Sequence, residues 1–155
     1  PFFLGLLGHP VHGSACIGCS LVCVGKLVLG PSARIGHGNV IRARRLVLRQ
    51  RAIVGNLNYI SGALNIRLGP RSMLGNRNII NRLSVPGQKP TQVFTGELVG
   101  ITAGHYLNAN ESIIIGDFTT IAGIGSQLWT HGFIHLSHGE GRAEVGGRIV
   151  IGRNC

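Results

Sequence analysis

Between Leu128 and His138 the chain places Trp129, Thr130, His131 and His135, and with His138 these form its densest run of chemically able side chains. An imidazole titrates near neutral pH, so one held at an accessible turn suits a general base that takes a proton from a hydroxyl. Positioned proton transfer of this kind contributes typically ~10²–10⁴-fold in rate. His131 is the candidate base, because it lies beyond the inward apolar residue Leu128 with the small or polar neighbours Thr130 and Gly132. Trp129 and Thr130 are candidate contacts to an acceptor, the indole as a platform for a sugar ring. His105 precedes this cluster and has two readings, a substrate contact and a structural residue of the scaffold. Asp117 and Glu140 are acids that could orient a histidine.

What must hold these residues is a repeat. In the windows starting at Leu29, Leu48 and Leu68, the positions at six-residue spacing are Leu29, Ile35 and Ile41, then Leu48, Val54 and Ile60, then Leu68, Leu74 and Ile80. All are Leu, Ile or Val. A helix would want apolar residues every three or four, and a hairpin sheet strict alternation. Six suits a short strand plus a corner, with three hexads to a coil, so the spacing predicts an all-β, single-stranded parallel β-helix. Four places after the apolar residue stand Ala33, Ala52 and Ser72 on the first face and Asn39, Asn58 and Asn78 on the second. Small residues let corners close, and stacked asparagines can pass hydrogen bonds from coil to coil. Counting four from Ile101 puts His105 in the asparagine row. The 25 glycines in 155 residues fit a chain of many turns.

The period breaks twice, which predicts two protruding loops, at about 83–97 and 135–147. It resumes at Ile101, Leu107, Ile115, Ile121 and Leu128, and again at Ile149. Residues 1–155 read as a single β-helix domain; no polar cap follows the last repeat, so a further C-terminal portion is expected. Cys16, Cys19, Cys23 and Cys155 form neither a metal-site spacing nor a disulfide framework; their apolar neighbours predict buried free thiols in a reducing compartment. The apolar runs before residue 25 are too short to span a bilayer and lack a basic leader.

Charge is uneven. No acid precedes Glu97, and with two lysines and ten arginines residues 1–96 carry +12, whereas residues 97–155 carry −2, for a net +10. A field of that sign attracts phosphate-bearing partners, such as an anionic membrane surface or a glycolipid. With hardly any aromatic residue among the arginines, nucleic acid is not expected as a partner.

The pattern Ile/Leu/Val-Gly-x-x-small-x, present at Leu29-Gly30, Ile35-Gly36, Val54-Gly55, Leu68-Gly69, Leu74-Gly75, Ile115-Gly116 and Ile151-Gly152, resembles the hexapeptide-repeat acyltransferases over roughly residues 20–155. Ile115-Gly-Asp followed by a histidine some fifteen residues later is similar to their sugar O-acetyltransferase branch. The resemblance implies a left-handed β-helix, a cytoplasmic or membrane-peripheral homotrimer, and transfer of an acetyl or other acyl group from coenzyme A to a sugar or glycan hydroxyl. It implies acetyl-CoA (acyl-CoA) as co-substrate with no metal, His131 as base, and a donor site at Gly123, Gly125 and Ser126. In that branch a proline usually follows the histidine; here Gly132 does.

Two other classes remain open at this stage. A γ-carbonic-anhydrase-like hydratase would use His105, His131 and His135, with His138 in reserve, as metal ligands, yet its accompanying Arg-x-Asp and Asn-Ile-Gln-Asp patterns are missing. A non-catalytic scaffold would bind anionic ligands through the arginine-rich half.

Overall fold

The structure, a computed structural model, describes residues 8–83, 88–135 and 141–155. Among them there is no helix, and the chain winds as a parallel β-solenoid whose coils stack in register. On the first face Leu29, Leu48, Leu68, Thr95, Ile115 and Ile151 lie one above another. The second face stacks Ile17, Ile35, Val54, Leu74, Ile101 and Ile121. Val22, Ile41, Ile60, Ile80, Leu107 and Leu128 stack on the third. The hexad register read from the sequence is therefore the register of the fold.

These ladders are the core. Ile41, Leu48, Ile60, Leu74, Ile80 and Leu107 are all fully buried, and burying each such side chain contributes about 1.5–3 kcal/mol. From the coil of Leu29 onward the first corners repeat one turn. Ser32, Arg51, Arg71, Leu98, Phe118 and Asn154, each three places past the first-face residue, have φ between 51° and 58°. Pro31 and Pro70 stand where such a turn wants φ preset. Gly55 serves a different need: a Cβ there would lie 2.5 Å from the Gly75 carbonyl oxygen of the next coil, so the coils close up only without one.

The asparagine row works as expected. Asn39 Oδ1 accepts the Asn58 backbone N–H at 2.9 Å, Asn58 Oδ1 that of Asn78 at 2.9 Å, and Asn78 Oδ1 that of His105 at 2.9 Å. Each closes a backbone donor that burial would otherwise leave unpaired.

Three expectations change. The first excursion is shorter than 83–97, because Thr91–Thr95 is a strand of the first face, paired to Leu64–Leu68 and Ile113–Ile115. Thr91, Val93 and Thr95 point inward and are buried; the threonines hid the apolar phase. The second excursion starts earlier than 135, as an antiparallel hairpin of His131–His135 with Arg142–Gly146. The four cysteines are free but exposed rather than buried, since Cys16 and Cys23 sit on outward positions that alternate with Ile17, Val22 and Val24. None of the helices is long and apolar enough to cross a membrane, the described residues having no helix at all.

Candidate active site at the third corner

The third corner, where the third face turns into the first face of the next coil, is the irregular one. It carries residues 82–83 and 88–90 in one coil, 109–112 in the next and the hairpin in the one after, so both excursions belong to the same edge of the solenoid. Threonine hydroxyls tie these layers together. Thr91 Oγ1 donates to the Ala109 carbonyl at 2.6 Å, and Thr130 Oγ1 donates to the Asn108 carbonyl at 3.0 Å while accepting the Glu111 N–H at 2.9 Å.

His131 opens the hairpin directly after that tie. Its Nδ1 is 2.9 Å from Asn108 Oδ1. The same oxygen accepts the Asn110 N–H at 3.3 Å, and Asn108 Nδ2 donates to Asn81 Oδ1 at 3.3 Å. The two bonds assign the Asn108 amide, so its oxygen faces the imidazole and Nδ1 must carry the proton. Nε2 is thereby left as the acceptor nitrogen, the form a general base needs. Asn81 is steadied in turn, its Nδ2 donating to the Tyr106 hydroxyl at 2.9 Å.

Aromatic rings flank this imidazole. Trp129 lies 6.0 Å from it and Phe133 5.9 Å, edge-on, with Trp129 also 4.9 Å from Tyr106. The Arg142 guanidinium sits 4.0 Å over Phe133. Trp129 is about half exposed, and Gln127 Oε1 accepts its Nε1–H at 3.0 Å. His131 lines a hydrophilic cavity of about 570 Å³ that reaches from Arg82 and Lys89 past Glu111 to Glu144. A shallower hollow of about 330 Å³ adjoins it, between Trp129 and Val145.

The structure brings His131 and Trp129 together and separates them from His105. His105 lies at the second corner, buried, with Nδ1 accepting the Ser126 N–H at 3.2 Å and Nε2 2.9 Å from Thr102 Oγ1. Both ring nitrogens are engaged, and His105 extends the asparagine row; of its two readings the geometry takes the structural one. Thr130 is also buried, its hydroxyl engaged by the Glu111 N–H and the Asn108 carbonyl, and it lines the shallower hollow beside Trp129. Gly123 and Gly125, with φ of 80° and 82°, stand at the second corner with open space around them, and Ser126 follows. From Ser126 to Thr130 the chain runs four residue steps through the strand Gln127–Trp129, about 13 Å. Asp117 orients no histidine among the described residues: its Oδ1 accepts the Glu97 N–H at 2.8 Å and its Oδ2 lies 3.3 Å from Arg153 Nε.

For a metal, the His105 and His131 rings belong to different corners, and among the described residues no group of three His, Cys, Asp or Glu side chains is placed to hold an ion. His138 and Glu140 lie outside the described residues. The family models, the curated proteins and the solved structures searched give no match to this chain.

Sequence reasoning missed Asn81 and Asn108. Both directly follow the third-face apolar residue, Ile80 and Leu107, in the row that continues to Trp129. Reading that row across coils, rather than along the chain, would have placed them beside His131. Arg82 was missed as well, counted only as one charge among ten.

Proposed function

We propose that this chain is a coenzyme A-dependent O-acyltransferase that acylates a hydroxyl of a sugar or polysaccharide precursor. The observation that carries the reading is the Asn108-held imidazole of His131, its Nε2 left as acceptor, on the wall of a hydrophilic cavity of about 570 Å³. The resemblance to hexapeptide-repeat acyltransferases supports the same reaction class. Nε2 takes the proton of the acceptor hydroxyl as its oxygen attacks the thioester carbonyl. The tetrahedral intermediate then expels the coenzyme thiolate, which recovers that proton from the imidazolium. No covalent enzyme intermediate is needed, and His131 supplies typically ~10²–10⁴-fold of the rate.

Trp129 and Phe133 shield the imidazole and offer apolar faces to a sugar ring. The donor's long thiol arm, held at Gly123, Gly125 and Ser126, would run beside Gln127–Thr130 for about 16 Å to reach the base. A cytoplasmic or membrane-peripheral homotrimer completes the proposal. Thiol release from acetyl-CoA, measured with a panel of sugars for wild type and His131→Ala, tests it: turnover should fall by at least about a hundredfold in the variant. Undiminished turnover removes His131 as base.

A further inference from the structure

Arg82 is one of the most buried charged residues in the described chain, only 7% exposed, and it forms part of the wall of the cavity that His131 lines. Its Nη1 donates to the Ala63 carbonyl at 3.1 Å and its Nη2 to Gln88 Oε1 at 3.1 Å, while its Nε is buried with no partner among the described residues. Both acceptors are neutral. The ion pairs among the described residues are Arg71 with Glu97 and Arg153 with Asp117, so no described carboxylate offsets the Arg82 charge. Buried charges are ordinarily paired, because an unpaired one keeps most of its desolvation cost.

The cavity is polarised along the solenoid axis. Asn81, the residue before Arg82, pairs with Asn108, and Asn108 with Trp129, so the backbone of Arg82 stands two coils from that of Thr130, about 10 Å at the usual strand spacing. Lys89 lines the cavity on the Arg82 side. The lining carboxylates, Glu111 and Glu144, belong to the middle layer and to the hairpin that carries His131. One end therefore presents two cations, and the other a base among acids, which repels a second negative charge near the reacting hydroxyl.

We infer that the acceptor is an acidic sugar, its carboxylate or phosphate against Arg82 and Lys89 and its reacting hydroxyl at His131. Which end reacts rests on the transferase reading; binding of the anion does not. A guanidinium with donors to spare suits either oxyanion.

The test is calorimetric titration of the full chain carrying His131→Ala, at low ionic strength, with glucose, glucuronate and glucose 1-phosphate. At least one acidic sugar should bind about ten- to a hundredfold more tightly than glucose, the effect of one or two charge-assisted hydrogen bonds. The stronger of the two identifies carboxylate or phosphate. Lys89→Ala, at an exposed position, should cut that preference severalfold with glucose binding unchanged. Arg82→Gln should abolish it, and Arg82→Lys, checked for an unchanged melting transition, should restore part. Equal binding of glucose and both acidic sugars, or full preference kept in Lys89→Ala and in a folded Arg82→Gln, overturns the inference. An acidic sugar that binds wild type tightly yet receives no acyl group from acetyl-CoA would sink the transferase reading alone.

Discussion

Asn58→Ala probes the stacking register at a buried point of the asparagine row. The Asn58 side chain donates to Asn39 Oδ1 at 3.0 Å and to the Gly75 carbonyl at 2.8 Å, and accepts the Asn78 N–H at 2.9 Å. Asn39, Asn58 and Asn78 are each about 1% exposed or less, so water cannot replace what alanine removes. The variant strands the Asn78 N–H and the Gly75 carbonyl, at about 1–3 kcal/mol for each buried group left unpaired, and so should lose roughly 2–6 kcal/mol. Asn56→Ala is the matched control. Asn56 Oδ1 accepts the His37 N–H at 2.8 Å, but at an exposed corner, where water can substitute, and its loss should stay under about 1 kcal/mol. Urea denaturation followed by circular dichroism reads both as shifts of the midpoint at constant slope. Equal losses for the two variants would refute the buried ladder, and with it the register argument.

Three further outcomes follow from the same geometry. Gly55→Ala puts a methyl 2.5 Å from the Gly75 carbonyl oxygen, and forcing two coils apart should destabilise by about 1–3 kcal/mol in the same urea assay. Asn108→Ala frees the His131 ring to rotate and exchange tautomers; in a steady-state acyl-transfer assay kcat should drop roughly tenfold or more, worth about 1.4 kcal/mol, with the donor KM little changed. All four thiols are exposed, so a disulfide-exchange reagent should titrate Cys16, Cys19, Cys23 and Cys155 in native buffer, without denaturant.

The solenoid was legible because its inward rows are nearly pure Leu, Ile and Val at fixed spacing, and that pattern needs no partner to be seen. It failed where a coil uses polar residues inside. Thr95 occupies the place of Leu68 and Ile115, and its hydroxyl accepts the Gly69 N–H at 3.0 Å, a satisfied polar group that reads as a loop in one dimension. The hairpin was hidden by the glycine- and histidine-rich composition around 135–147, although Ala143 and Val145 carry an alternation. His131 stood out by type and position, and His105 by counting in hexads, which already gave it a structural reading. Asn108 was not found, because its link to His131 runs between coils, 23 positions apart. Neither was the burial of Arg82, since nothing in the sequence distinguishes an arginine folded under a corner from the exposed ones of the first ninety residues.

Transfer of isotopic label from the acyl group of acetyl-CoA to a sugar, detected by mass spectrometry of the sugar, tests the central claim most directly. The account predicts that wild type labels an acceptor hydroxyl, that His131→Gln does so at least about a hundredfold more slowly, and that Asn108→Ala falls between them. Label that never leaves coenzyme A with any neutral or acidic sugar, or that transfers equally well in His131→Gln, would contradict it.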